Sequence, residues 1–156
     1  MGNSYSSNGG VLKRWHGVLR LTRQPVASWH RDRVREELKE RRMAKTWGHR
    51  LSETSDVLFS LSRARYDGFP IRSLPSMFGP HYALAYAYML AKYTSRWSFY
   101  RVAAYLSGAP RYDLVREVVN PSKSAKLGEV ASRHQIDRVK FKRVSRQLLR
   151  VWPLPP

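Results

Sequence analysis

The stretch "VLKRWHGVLR", residues 11–20, decides how the first part of the chain folds, because its apolar residues recur at helical spacing. One helical face of this stretch is formed by Val11, Leu12, Trp15, Val18 and Leu19, and Thr22, two residues beyond the stretch, continues it. This period predicts an amphipathic helix over 11–23, which Pro25 ends. We expect the tryptophan and the aliphatic side chains inside a bundle, with Arg14 and Arg20 pointing outward.

Two more helices are predicted before residue 67. Ser28 is a suitable N-cap for a helix that runs to about residue 45, whose charged stretch "HRDRVREELKERR" predicts a solvated face with many ion pairs. A third helix is expected over about 53–66, with Ser52 as its N-cap, ending before the turn residues "YDGFP". Residues 11–67 are therefore predicted to form a three-helix unit, after a flexible Gly/Ser-rich segment 1–10.

Residues 68–80, "GFPIRSLPSMFGP", are rich in proline and glycine and are the predicted linker between two parts of the chain. Their apolar side chains argue against a free tether, so we expect the segment to pack on a neighbouring surface. The rest of the chain, 81–156, is predicted to be a second helical region.

A long helix is predicted over about 81–107. Its first half, "YALAYAYMLA", is apolar almost all round and is expected to form a buried central helix. This run is too short for the roughly 20 residues that a membrane-spanning helix needs. Its second half carries aromatic residues interleaved with arginines, a pattern that suits RNA bases, although the helical spacing favours a place in the core. A short helix is expected at 113–119.

The stretch "KLGEVASRHQIDRVKFKRVSRQL", residues 126–148, has the spacing of a helix-turn-helix. Ala131 allows a close crossing of the two helices, Ile136 fills the angle between them, and Asp137 is the predicted N-cap of the second helix. Gln135 stands where a glycine is usual in such a turn.

The net charge of +18 is concentrated at the two ends of the chain. Residues 1–66 carry a net +8, residues 67–122 a net +3, and residues 123–156 a net +7. An excess of this size favours an anionic partner, and nucleic acid is the commonest one. The predicted RNA contacts are the cations of the last helix: Arg138, Lys140, Lys142, Arg143, Arg146 and Arg150. Such contacts supply affinity through phosphates rather than sequence readout.

The sequence lacks the usual patterns of catalysis. It has no cysteine, and neither a phosphate-binding glycine loop, an HExxH motif nor a zinc-ligand spacing occurs. The five histidines are scattered. We therefore expect a protein that is not an enzyme and that carries no metal site and no cofactor of its own.

The N-terminus permits two interpretations. "MGNSYS" matches the myristoylation pattern, with Gly2 and Ser6 in place. The first acidic residue is Asp32, and the serine-rich, basic stretch before it resembles a mitochondrial import signal. We expect a mitochondrial matrix protein, with a nuclear or cytosolic location as the alternative.

The opening helix also resembles, in degenerate form, the LYR-motif proteins, which are small mitochondrial three-helix adaptors. Arg14, Trp15 and His16 occupy the LYR positions, and "VLR" at 18–20 occupies the following L-L-R positions. The stretch "VREELKERR", residues 34–42, looks like the basic second helix of that family, and the likeness covers 11–67. With its basic extension, the chain is similar to fungal mitochondrial proteins of this kind.

The resemblance implies binding of an acylated acyl carrier protein. By that analogy, the residues that would contact the acidic surface of the carrier are Arg20, Arg35, Arg41 and Arg42. Trp15 would line a channel for the acyl chain, and the acyl-phosphopantetheine of the bound carrier would be the only cofactor involved.

These observations predict an all-α protein made of an LYR-like three-helix bundle, a buried central helix and a C-terminal basic helical hairpin. We expect an accessory subunit or assembly factor of a ribonucleoprotein, in particular the mitochondrial ribosome. The first alternative is an LYR-type assembly factor for a respiratory complex that binds acylated carrier protein. The second is a nuclear DNA-binding protein built on the helix-turn-helix.

Overall fold

The computed structural model describes residues 6–154, with side chains from residue 9 onward. In this range all regular structure is helical, which confirms the predicted all-α class. The helices are α1 Ser6–Leu19, α2 Ala27–Met43, α3 Trp47–Asp67, α4 Ala83–Leu106, α5 Ser124–Arg133 and α6 Arg138–Val151, with a 3₁₀ turn at Tyr112–Leu114. Among the described residues, no helix has the length and hydropathy needed to span a bilayer. The myristoylation pattern at Gly2 starts outside the described residues.

The chain divides into two compact units, Met1–Leu90 (unit 1) and Ala91–Pro156 (unit 2). The division falls inside α4 rather than in the segment 68–80. The reason is that Ile71 and Leu74 of that segment pack on the apolar cluster of α2 and α3. The expectation that this proline-rich segment packs on a neighbouring surface is confirmed for these two residues, but the segment belongs to unit 1.

Within unit 1, α2 and α3 form an antiparallel pair. Residues later in α2 meet residues earlier in α3: His30 Nε2 lies 3.5 Å from Asp67 Oδ2, whereas Val34 packs with Leu61 and Val57. Only three residues, 44–46, connect the two helices, and this short loop suits an antiparallel hairpin. The apolar cluster between the helices is small, so polar groups complete the interface.

The boundaries of α1 differ from the prediction at both ends. The helix already includes residues 6–10, so this part of the predicted flexible segment is ordered into helix. It ends at Leu19 because Arg20 has a left-handed conformation with φ of 47°, five residues before Pro25. The inward face was also misjudged, since Val18 is 63% exposed. Leu12 and Leu19 are buried, and His16 is buried between them.

Both predicted N-caps in unit 1 were wrong. Ser28 lies inside α2, whose N-cap is Val26 and has no side-chain hydrogen bond. The helix α3 starts about a turn and a half earlier than predicted, because Thr46 Oγ1 accepts a hydrogen bond from the His49 backbone N–H at 3.2 Å. The other end of α3 is as expected, with Gly68 as a left-handed C-cap at φ 96°.

The helix α4 is not buried all round. In its first half Ala85, Tyr86 and Met89 are buried, whereas Leu84 is 56% exposed. The expectation that this first half, apolar almost all round, would be buried was therefore wrong for the face that carries Leu84. In its second half Phe99 and Tyr100 are fully buried, which confirms the core assignment for these two aromatics.

An apolar cluster lies at the centre of unit 2. It comprises Phe99, Tyr100, Ala103, Ala104, Val115, Leu127, Val130, Ala131 and Phe141. The cluster draws on α4, α5, α6 and the segment between α4 and α5, where the short helix predicted at 113–119 is only a 3₁₀ turn. Trp152 docks on this unit: its Nε1–H donates to Ser95 Oγ at 2.8 Å, and its ring meets Phe99 edge-on.

Candidate nucleic-acid interface

The hairpin of α5 and α6 has the local geometry that the sequence pattern predicts. Ala131 is fully buried, and its carbonyl accepts a hydrogen bond from the Ile136 N–H at 2.9 Å. Gln135 adopts the left-handed conformation, with φ of 56°, in place of the usual glycine. Asp137 is the N-cap of α6, because its Oδ1 accepts from the Lys140 N–H at 2.6 Å. The turn thus forms despite the missing glycine, although a residue with a side chain is strained in this conformation.

The packing of α6 separates an apolar face from a basic face. Phe141 and Ser145 are fully buried, and Leu148 packs against the central cluster of unit 2. A helix turns by about 100° per residue. On that basis five of the predicted RNA-binding cations share an outward arc of about 140°: Arg138, Lys142, Arg143, Arg146 and Arg150. This face is exposed except at Lys142, which is half-buried.

Two of the cations lie close to glycines. A Cβ on Gly128 would lie 2.7 Å from Arg138 Nε, so the guanidinium lies against α5 at this glycine. Lys140 lies outside the common arc, and its Nζ is 3.4 Å from where a Cβ of Gly108 would stand. The structure therefore brings five cations together on one face and places Lys140 at the C-terminal end of α4.

None of the six cations of α6 has a carboxylate within 4.0 Å in the described part of the chain. Only Arg146 is seen to reach a polar side chain, donating from Nη2 to Ser124 Oγ at 2.9 Å. Two arginines of α2 behave differently, since Arg33 pairs with Glu36 at 2.7 Å and Arg35 pairs with Asp32 at 3.2 Å. The positive charge of α6 is consequently left for a partner outside the chain.

The neighbouring charges of α5 are neutralised within unit 2. Lys126 Nζ lies 3.0 Å from Glu129 Oε2. Glu117, which is buried, receives both Arg133 at 2.5 Å and His134 at 3.0 Å. These pairs leave α6 as the side of the hairpin that keeps its full charge.

The residues implied for carrier-protein binding are not brought into one group. Arg20, Arg35 and Arg42 are exposed, and Arg35 is engaged with Asp32. Arg41 alone among them lines a cavity of about 750 Å³ in unit 1. The other lining residues are Gly9, Leu38, Thr54, Val57, Leu58, Leu61, Arg65, Arg72, Ser73, Leu74, Pro75, Ser76 and Tyr82. Trp15 does not line this cavity but is half-buried and meets Phe59 edge-on at 6.0 Å.

His16, in the third LYR position, is a buried residue that the apolar pattern missed. Its Nε2 lies 2.9 Å from Ser62 Oγ, whose hydroxyl donates to the Phe59 carbonyl at 3.0 Å. The imidazole therefore donates from Nε2, and its buried Nδ1 finds no partner among the described residues. Burial, and then the charge of Arg63, lower the pKa of His16 to about 3, so the ring is neutral. Its spacing of four from Leu12 and three from Leu19 was the available signal.

A second buried network in unit 1 was invisible in the sequence. Asp67 accepts hydrogen bonds from Arg63 Nε at 3.0 Å and from the Gln24 N–H at 3.1 Å. Arg63 also donates to the carbonyls of Leu21 and Thr22, and His30 Nε2 donates to the Gln24 carbonyl at 3.0 Å. The network attaches the loop between α1 and α2 to the C-terminal end of α3. Its side chains satisfy backbone groups of the loop that no helical hydrogen bond satisfies.

Three carboxylates also meet between α2 and α3. The side chains of Glu37, Glu40 and Glu53 each place an oxygen within 4.8 Å of the others, a spacing that a cation could bridge. Burial raises the pKa of Glu37 to about 7; Arg33 opposes the shift, and Asp56, Glu40 and Glu53 reinforce it.

No family model, no curated protein and no solved structure matches the chain.

Proposed function

We propose that the protein binds RNA through the outward face of α6 and acts without catalysis, as an accessory subunit or assembly factor of a mitochondrial ribonucleoprotein, in particular the mitochondrial ribosome. The supporting observation is that the six cations of α6 have no carboxylate partner in the described part of the chain, whereas the arginines Arg33 and Arg35 of α2 do. A chain with a net charge of +18 is relieved of self-repulsion when a polyanion covers such a face. Phosphate groups spaced along RNA are the matching partner.

The mitochondrial part of the proposal rests on the start of the chain. The helix α1 is amphipathic, with Leu12 buried and with Lys13 and Arg14 exposed, and no acidic residue precedes Asp32. Basic amphipathic helices of this kind are typical of import signals. A fusion of the full chain to a fluorescent protein should co-localise with a matrix marker, and accumulation in the nucleus would favour the DNA-binding alternative.

The decisive experiment measures RNA binding as a function of salt. Four cations of the common arc are replaced together in the full chain: Lys142→Gln, Arg143→Gln, Arg146→Gln and Arg150→Gln. Fluorescence anisotropy with a labelled single-stranded RNA is followed over a series of KCl concentrations. Each lost phosphate contact should reduce the slope of log K against log salt by about 0.7. The unmodified protein should bind tightly at low salt and weaken steeply as salt rises.

The matched control removes cations that are already paired. Arg35→Gln and Lys126→Gln delete exposed charges held by Asp32 and Glu129, so this double variant should keep nearly the full slope. Absence of binding at low salt, or a slope that the α6 changes do not alter, would overturn the proposal. Tight binding confined to one duplex DNA sequence would instead support the nuclear alternative.

The cavity of unit 1 favours a second candidate function, that of an adaptor for acylated carrier protein. Leu38, Leu58 and Leu61 give the cavity an apolar lining, and Arg41, Arg65 and Arg72 add cations to it. None of these three arginines has a carboxylate within 4.0 Å in the described part of the chain. An apolar chain that ends in a phosphate would match this lining, and Arg41 is one of the residues that the family resemblance selects.

Co-purification tests this second candidate. The chain is mixed with acyl carrier protein in its acylated and its unacylated form. Arg41→Glu should abolish capture of the acylated form, whereas Lys39→Glu, an exposed change on the same helix outside the cavity lining, should preserve it. Equal capture of the two forms, or none of either, would reject the adaptor role.

A further inference from the structure

The outward face of α4 in unit 2 is aromatic. Trp97, Arg101 and Tyr105 follow one another at intervals of four residues and thus lie on successive turns of one face. The opposite face carries the fully buried Phe99 and Tyr100. The aromatic sequence 97–105 is consequently divided by the fold, because only part of it enters the core.

These outward residues form a shallow pocket of about 390 Å³ with Tyr112, Ser98 and Val102. The guanidinium carbon of Arg101 lies 4.6 Å above the Trp97 ring centre, as in a cation–π contact. The rings of Tyr105 and Tyr112 meet edge-on at 5.1 Å. The pocket is therefore walled by flat π surfaces and by one planar cation.

The tyrosines of this pocket remain accessible to a ligand. Tyr105 is 62% exposed and Tyr112 is 40% exposed, whereas the inward aromatics of the same helix are fully covered. Large aromatic surfaces left open to water mark sites of interaction rather than of stability. The lining residues include one cation, Arg101, and no carboxylate.

The rim of the pocket adds cations. Arg111 precedes Tyr112 in the chain, is exposed, and has no carboxylate within 4.0 Å in the described residues. Lys140, the cation of α6 that lies apart from the basic arc, sits against Gly108. The Gly108 N–H donates to the Tyr105 carbonyl at 2.9 Å, so this lysine stands within one helical turn of the pocket.

We infer that the pocket of Trp97, Arg101, Tyr105 and Tyr112 stacks an unpaired RNA base, whose adjoining phosphates are bound by Lys140 and Arg111. This inference rests on the proposed RNA-binding function and specifies its substrate as single-stranded RNA. Aromatic rings and a guanidinium plane are the surfaces on which proteins stack splayed bases. The surrounding cations match the phosphates on either side of such a base, whereas a purely apolar peptide would leave them unmatched.

The test compares single-stranded RNA with the same strand annealed to its complement, using the full chain. The double variant Tyr105→Ala, Tyr112→Ala should bind the single strand about tenfold more weakly, which is the loss expected for one stacked base. Its salt slope and its affinity for the duplex should not change, because stacking involves no phosphate. Tyr105→Phe with Tyr112→Phe retains the rings and should bind almost as the unmodified protein does.

The matched control is Leu106→Ala with Leu114→Ala, two partly exposed neighbours outside the pocket lining, which should leave both affinities unchanged. Circular dichroism confirms that each variant is folded. The inference would be overturned if the alanine variant weakened binding to single strand and duplex equally, or if it weakened neither. The α6 variant tests the proposed RNA binding separately, so the two failures can be told apart. If neither RNA binds at low salt, both the proposed function and the base-stacking inference are wrong. If the tyrosines matter only for capture of a peptide, the pocket is a protein-docking site and the inference is wrong.

Discussion

Both units bury ionisable side chains, since Lys92, Arg96 and Glu117 of unit 2 are 5%, 7% and 7% exposed, but unit 1 buries such side chains more completely. In unit 1 the helix contacts include His16, His30, Glu37 and Arg63, all at most 4% exposed. In unit 2 the centre is a continuous apolar and aromatic cluster around Phe99, Tyr100 and Phe141, and the cations of α6 remain outside.

The difference has a physical consequence. Buried ionisable groups make stability depend on pH and on the integrity of each pair. An apolar centre makes stability depend on shape and volume. We therefore expect the stability of unit 1 to respond more strongly to pH and that of unit 2 to respond more strongly to packing changes. Hydrogen exchange can locate each effect because it is resolved along the chain.

The largest expected effect is in unit 2. Phe141 is fully buried and stacks on Tyr100 with ring centres 6.4 Å apart. Phe141→Ala should lower the free energy of unfolding by about 4 kcal/mol. Urea denaturation measures the loss, and hydrogen exchange should assign it to residues 91–156. Val139→Ala, on the same helix but 78% exposed, should cost less than about 0.5 kcal/mol. Equal costs for the two variants would contradict the inward orientation of Phe141.

The next effect is in unit 1. Asp67→Asn leaves the buried guanidinium of Arg63 without its carboxylate and should cost about 3 kcal/mol. Amides of the loop 20–26 should exchange faster, since Gln24 is bonded to the same carboxylate. The control Asp32→Asn breaks the exposed pair with Arg35 and should cost less than about 1 kcal/mol. Unchanged exchange in the loop would show that the network does not anchor it.

His16 should make unit 1 sensitive to acid. Its pKa is about 3 in the folded protein, against an ordinary value of 6.5 once the chain unfolds. Between these values the unfolded state binds the extra proton, so stability falls as pH decreases from 6.5 towards 3. The loss between pH 7 and pH 5 should be about 2 kcal/mol. In His16→Gln, which can still donate to Ser62, this loss should shrink. His81→Gln removes an exposed imidazole and should leave the acid profile as it is.

Glu37 should act in the opposite sense. Its pKa is raised from 4.5 to about 7, so the folded state binds more protons and stability decreases as pH rises through this range. Glu37→Gln should remove a decrease of about 2 kcal/mol between pH 5 and pH 7.5. Glu36→Gln, an exposed change that also faces Arg33, is the control and should retain the decrease. A profile that both variants leave unaltered would show that Glu37 is not responsible.

The smallest effect concerns the turn of unit 2. Gln135 holds a left-handed conformation that costs a non-glycine residue about 1 kcal/mol. Gln135→Gly should therefore raise the urea midpoint by an amount corresponding to at most about 1 kcal/mol. Gln147→Gly, in the exposed interior of α6, should lower it by a similar amount. If both glycine substitutions lowered the urea midpoint, the side chain of Gln135 would stabilise the protein by more than its left-handed backbone conformation destabilises it.

Much of the local structure follows from the sequence alone. The apolar period predicts the helices, Gly68 ends α3, and Asp137 caps α6, because these features depend on residues within one or two turns of each other. The basic face of α6 is equally local, since its cations lie on one helix whose apolar side is evident from Phe141 and Leu148. All of this is determined by short-range geometry.

Tertiary structure alone decided which polar groups enter the interior and which charges stay available. The spacing of apolar residues does not show that His16 is buried, because its burial depends on Ser62 accepting its hydrogen bond. In the same way, the burial of Asp67 depends on its pairing with Arg63. Ser62 stands 46 residues from His16 in the chain, whereas Arg63 is only four residues from Asp67 on α3 and lies on a face that the apolar period does not mark. For the cations the sequence already separates two arginines of α2, since the carboxylates that pair with Arg33 and Arg35 lie three residues away on the same helix. Tertiary structure adds that, among the described residues, no carboxylate of another element pairs with the cations of α6. Pairing over distance depends on the fold, and that is why "VLKRWHGVLR" specifies a helix but not the burial of its histidine.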